Sequence, residues 1–215
     1  MTTSFYLYAL LILALSLALS FFGSRWIETL YEKNRDILTF PEDVKRRGRW
    51  RPYALGILFF ACGIRFLFLT SGRPLFFLLF MTALLLLMTA TDFEQYCLFD
   101  SMMIPLALGG MALTAVYPSL FTDHALAAAG GGAAFLLLGI LSRGALGGGD
   151  IKLMACLGLW LGTDALIFVA AAGSIFGGLS ALILLLLGKK KRKSAFAYGP
   201  YFTLTALALI LIRGI

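Results

Sequence analysis

Residues 4–23 form a run of twenty positions without a charged side chain, and apolar runs of this kind recur along the chain. A helix rises about 1.5 Å per residue, so roughly 20 apolar residues match the ~30 Å hydrocarbon core of a bilayer. The runs fall at 4–23, 53–70, 75–91, 101–117, 125–141, 151–161, 165–187 and 196–212. This pattern predicts an all-α polytopic membrane protein with about eight transmembrane helices. Composition agrees. Of 215 residues 60% are hydrophobic and 13% charged, with a mean hydropathy of +0.92. Soluble domains carry about 25% charged residues. There is no room for a large soluble domain, so residues 1–215 read as a single integral membrane domain.

Charge placement orients the helices. The net charge of +7 does not imply nucleic-acid binding, because Lys and Arg in a membrane protein mainly mark cytoplasmic loops. Nothing basic precedes the first run and Arg25 follows it. That predicts a retained helix with its N-terminus outside, rather than a cleaved secretory leader. The loops 24–52, 92–100, 142–152 and 188–195 then face the cytoplasm. They hold eight, none, two and five basic residues, 15 of the 18. Arg65, Arg73 and Arg213 are the remainder, and both termini are expected outside. Residues 24–52 are expected as a cytoplasmic loop against the membrane face. Their cluster Lys45-Arg46-Arg47-Gly48-Arg49 reads first as a topology determinant, with contact to anionic lipid as the alternative. Membrane lipid is an expected partner; nucleic acid is not.

Cys62, Cys97 and Cys156 form no CxxC pair, which argues against a disulfide framework and against zinc. His124 is expected as a lone external histidine. Arg65 is expected either to snorkel outward or to pair inside the bundle. The glycines at 130–132, 173, 177 and 178 are expected to let helices pack closely.

Residues 144–153 read Gly-Ala-Leu-Gly-Gly-Gly-Asp-Ile-Lys-Leu. The glycines make the backbone compliant and lead into Asp150, a carboxylate at the lip of the bilayer core, where charge is expensive and usually kept for a task. Asp92 ends the third run and Asp150 begins the sixth, with one hairpin of two runs between them. The topology therefore predicts both aspartates at the same, cytoplasmic, depth. Two adjacent carboxylates cannot both ionise easily and share one proton. One takes a proton from water while the other protonates a peptide carbonyl, with no covalent intermediate, metal or cofactor.

The stretch 92–100 carries Asp92, Glu94 and Asp100 and no Lys or Arg. It reads either as an acidic patch that receives a basic substrate segment, or as solvated charges with Asp100 capping the next helix. Gly147, Gly148 and Gly149 are expected to admit a substrate backbone or a partner loop to Asp150. Lys152, two residues on, is off the helix face of Asp150 and is expected to pair with another acid. Arg143 and Lys152 are expected to steady the loop. Two other readings stay open on residues alone: a small proton- or cation-coupled transporter using the same carboxylates, and an inactive scaffold of an envelope assembly.

Three stretches together resemble the type IV prepilin peptidases, membrane aspartyl proteases of the GxGD class. Asp92 is followed eight residues later by Asp100. Residues 147–153 match the motif GxGDxKL. Ala197-Tyr198-Gly199-Pro200-Tyr201 resembles an FGP-aromatic motif opening the last helix. The resemblance implies a peptidase domain whose catalytic pair is Asp92 and Asp150. Glu94 and Asp100 match acidic or polar positions nearby and are accessory at most; with Gly147, Gly148, Gly149 and Lys152 they are the expected substrate contacts, and no metal is expected. It further implies removal of a short basic leader from prepilin or pseudopilin precursors at the cytoplasmic face of a bacterial inner membrane. The system served would be a pilus, secretion or DNA-uptake apparatus. Phe99 stands where the family commonly has Pro. Residues 24–52 also lack the paired cysteines that hold zinc in many members, so the resemblance carries over cleavage and not N-methylation.

Overall fold

The computed structural model describes residues 3–142, 146–188 and 196–214. Arg143, Gly144 and the basic cluster 189–193 lie outside the described residues. Among the described residues every regular element is helical, and the chain divides into two compact units, Met1–Cys97 with Ile210–Ile215, and Leu98–Leu209.

In the first unit α1 (Thr3–Ala18) passes through one π-helical turn, Leu19–Gly23, into α2 (Ser24–Lys33). The polar segment expected as a loop from residue 24 therefore begins as helix. The reason is its spacing: Ile27, Leu30 and Tyr31 recur at i, i+3 and i+4 and are buried, while Arg25, Glu28, Glu32 and Lys33 face outward. Two short 3-10 turns and α3 (Val44–Arg47) lead to α4 (Arg51–Leu67). Arg65 is exposed in the last turn of α4 and so takes the outward alternative.

The central helix of this unit is α5 (Arg73–Gln95), with Leu78, Met81, Leu85 and Met88 fully buried. It runs past Thr91, where the apolar run ends, and so takes Asp92 into its final turn. Its end is set by Tyr96, which adopts the left-handed conformation (φ 53°, ψ 40°) and returns its N–H to the Asp92 carbonyl at 2.9 Å.

The second unit holds α6 (Asp100–Val116), α7 (Phe121–Leu141), α8 (Gly148–Leu186) and most of α9 (Gly199–Arg213). A straight helix of the length of α8 would extend about 58 Å, nearly twice a bilayer core. It is broken at Gly162 (φ 71°, ψ −179°), at the end of the sixth apolar run. Such a break strands carbonyls before it and N–H groups after it. The Asp123 carboxylate accepts the Thr163 N–H at 3.1 and 3.3 Å, and the His124 imidazole donates from Nδ1 to the Leu159 carbonyl at 2.9 Å. His124 is thus buried and serves the break.

Helices α7 and α8 cross in close contact. A Cβ on Gly158 would overlap the backbone of Ala127 and Ala128, and one on Gly131 would reach the Leu166 side chain at 2.6 Å. Gly173 and Gly177 are closed in the same way by Phe202 and Tyr198. Gly130 and Gly178 differ from expectation: a Cβ on either meets nothing within 4 Å. Backbone contacts cannot yield as a flexible side chain can, so Gly158→Leu is expected to cost at least about 3 kcal/mol by overpacking. Thermal unfolding in detergent should show a large drop for Gly158→Leu and almost none for Gly130→Ala.

Among the described residues four helical stretches are long and apolar enough to cross a membrane: Phe5–Lys33, Arg73–Gln95, Pro118–Leu141 and Gly148–Leu186. Helices α6 and α9 are apolar and shorter. Large apolar side chains such as Leu10, Ile57, Leu137, Ile140, Ile167 and Ile175 point outward, as acyl chains require and water does not allow. The chain is an all-α membrane protein.

Candidate active site

Asp92 belongs to the first unit and Asp150 to the second. Asp92 is buried in the last turn of α5, between buried Thr91 and exposed Phe93. Asp150 is half-buried and is the third residue of α8, where the N-terminal end of a helix favours a carboxylate. Gly147 starts that helix in an extended conformation, and its carbonyl accepts the Asp150 N–H at 3.1 Å.

The glycines ahead of Asp150 differ in what they admit. A Cβ on Gly149 would meet the Leu98 side chain at 3.0 Å, so the residues before α6 press on this turn. A Cβ on Gly147 would come within 3.2 Å of the Asp150 Oδ2. Gly148 faces open space.

Glu94 does not present an open acidic group. It is buried, and its Oε2 accepts from Arg51 Nη1 at 2.7 Å and from the Tyr31 hydroxyl at 3.0 Å. Arg51 is itself buried and also donates to Ser24 Oγ and to Glu28 Oε1, both at 2.9 Å. Neither reading of Glu94, an open acidic patch or a solvated loop charge, fits this burial. No basic residue is near Glu94 in sequence, but the fold brings Arg51 to it from 43 positions away.

Asp100 is also partnered. Lys152 Nζ lies 2.7 and 2.8 Å from its two carboxylate oxygens. This is the acid that Lys152 was expected to find. Asp100 sits inside the first turn of α6, and the capping position, Phe99, makes no side-chain cap bond. Both members of the Lys152–Asp100 pair are more than half exposed. Exposed pairs contribute at most about 1 kcal/mol, so Lys152→Ala is expected to shift thermal stability barely beyond error.

Two residues that the sequence did not tie to α5 hold its end. Arg47, read as part of a topology cluster, turns inward: its Nη2 donates to the Phe93 carbonyl at 2.9 Å and its Nε to the Glu94 carbonyl. Gln95 exchanges two hydrogen bonds with the Phe40 backbone, at 2.8 and 3.2 Å. The sequence offered no local signal for either, since their partners lie 46 to 55 positions away. A cavity of about 680 Å³ in the same unit is walled by Glu28, Glu32 and Glu42 but also by Arg35, Lys45 and Arg49, so its lining is of mixed sign.

Comparison with known proteins bears on these residues. The profile of the type IV leader peptidase family matches residues 79–182, a segment that includes both Asp92 and Asp150. Over that segment the chain is similar to the type IV leader peptidase family. It is similar to a prepilin leader peptidase/N-methyltransferase of Aeromonas salmonicida, 28% identical over 151 residues that cover 66% of this chain and 51% of the relative. A protein of the same description from Neisseria gonorrhoeae is 33% identical over 133 residues, 59% of this chain and 45% of that one. Another, from Pectobacterium carotovorum subsp. carotovorum, is 29% identical over 166 residues, 74% and 58% of the two chains. The chain thus spans about half the length of the curated relatives it matches. No solved structure matches it.

Proposed function

We propose that this chain is a type IV leader peptidase, an aspartyl endopeptidase that cuts the short basic leader from prepilin-like precursors. The observation that carries the reading is the family match over residues 79–182, which encloses Asp92, Asp150 and the Gly-Gly-Gly-Asp-Ile-Lys-Leu segment. It favours a peptidase over a proton-coupled transporter or an inactive scaffold.

In this reading residues 1–215 act as one membrane peptidase domain with eight crossings and both termini outside, and Asp92 and Asp150 meet at the cytoplasmic face. One carboxylate accepts a proton from the attacking water while the other delivers a proton to the scissile carbonyl. Asp150, Asp100, Lys152 and the glycine turn 147–149, open at Gly148, are assigned to the substrate side. Glu94 is assigned to the scaffold, because a buried carboxylate already bonded to Arg51 and Tyr31 is closed to a leader lysine. The seat is the inner membrane of a bacterium, in a pilus, secretion or DNA-uptake system. Co-expression with a pilin-like precursor tests the reading. A mobility shift of the precursor is expected, with a mature product that carries a free N-terminal amine by mass spectrometry. An unprocessed precursor would overturn it.

A further inference from the structure

Asp92 rides on the last turn of α5, and helix ends fray unless their stranded carbonyls find donors. Here the donors come in a compact set. The Tyr96 N–H takes the Asp92 carbonyl at 2.9 Å. Arg47 takes the next two, its planar fork spanning the Phe93 and Glu94 carbonyls. The same guanidinium lies 4.0 Å from the centre of the Phe40 ring, whose edge packs on Tyr96 at 5.2 Å. Gln95, fully buried, is locked to the Phe40 backbone in both directions. A positive charge at this end of a helix also complements its dipole. Residues 40–47 therefore grip the final turn of α5 from outside the helix.

We propose that Arg47 is a positioning residue for Asp92, acting through the Phe93 and Glu94 carbonyls, with Phe40 and Gln95 holding Arg47 in place. The inference rests on Asp92 being one of the reacting carboxylates. Arg47 touches neither substrate nor carboxylate. It fixes the turn from which Asp92 projects, and a displacement near 1 Å costs a reaction of this kind about 100-fold. Lysine cannot substitute, because a point charge cannot span two carbonyls as a guanidinium does.

The test uses the full-length protein in detergent with a pilin-like precursor. Arg47→Ala is expected to lower kcat by at least about tenfold at nearly unchanged KM, as a loss of positioning does. Arg47→Lys should recover little of it, and added methylguanidinium should recover part in Arg47→Ala. Hydrogen exchange of the segment 92–97 should accelerate in Arg47→Ala. The control Arg46→Ala, which removes only an exposed pair with Asp43, should match the parent protein in both assays. Should Arg47→Ala not fold, Phe40→Leu keeps both carbonyl bonds and removes the ring beneath the guanidinium; a smaller fall in kcat at constant KM is expected.

A raised KM with unchanged kcat, or full recovery by lysine, would make Arg47 a charge contact for substrate and overturn the proposal. Unchanged exchange in 92–97 would overturn it as well. If the parent protein does not cleave at all, it is the peptidase reading that fails, and exchange still reports on the grip itself.

Discussion

Asp92→Asn and Asp150→Asn are each expected to abolish leader cleavage while the protein still inserts and folds. Asparagine keeps the shape of aspartate but neither accepts nor delivers a proton at the relevant step. In a dyad without a covalent intermediate, one carboxylate must act as base and the other as acid, so neither suffices alone. Losing one proton-transfer partner removes about 100- to 10,000-fold in rate. Folding should survive for different reasons at the two positions. At Asp92 the substitution keeps the size and shape of the buried side chain, so it opens no cavity. At Asp150 it forfeits only the helix-terminal attraction, about 0.3–1 kcal/mol. Co-expression with a pilin-like precursor, scored by mobility shift, gives the readout, with the amount of membrane-inserted protein measured alongside. Full processing by either variant would exclude the aspartyl mechanism.

The largest effect on stability is expected at Arg51. Its guanidinium and the Glu94 carboxylate are both buried and 2.7 Å apart, with Tyr31, Ser24 and Glu28 completing the network. Removing one partner of such a pair leaves a buried charge uncompensated and costs about 3–5 kcal/mol. Arg51→Ala is therefore expected to unfold at a markedly lower temperature in detergent, or to accumulate poorly in membranes. The double variant Arg51→Met/Glu94→Gln should recover most of that loss, because it removes both charges together and leaves a neutral amide within reach of the Tyr31 hydroxyl. A double variant no better than Arg51→Ala would mean that Arg51 contributes by packing, not by its charge.

Much of the fold could be read from the chain because a membrane imposes a simple pattern. Apolar runs became helices, and the break expected at 162–164 is present because only glycine tolerates the backbone found at Gly162. Lys152 found its acid in Asp100. Helix ends were harder to read. α5 runs beyond the apolar run to Gln95, and nothing local marks Tyr96 as its left-handed cap. Residues 24–33 are polar enough to read as a loop, and their helical spacing yields a buried face only because the rest of the first unit covers it. Long-range pairings were invisible. Glu94 stood in an apparently acid-only stretch, but Arg51 and Arg47 reach it across more than forty positions. His124 and Asp123 likewise take their roles from a helix break some forty residues away.

The proposed dyad was visible as two separate carboxylates, Asp92 closing one apolar run and Asp150 opening another. What would join them is a short distance between their oxygens in the working state. The separation of the nearest Asp92 and Asp150 carboxylate oxygens should therefore be measured in a structure of the protein bound to an uncleaved precursor. A direct hydrogen bond, or a gap bridged by one water and so no more than about 6 Å, is the expected result. A precursor seated with its scissile bond at Asp150 and Asp92 far beyond that reach would contradict a shared-proton dyad.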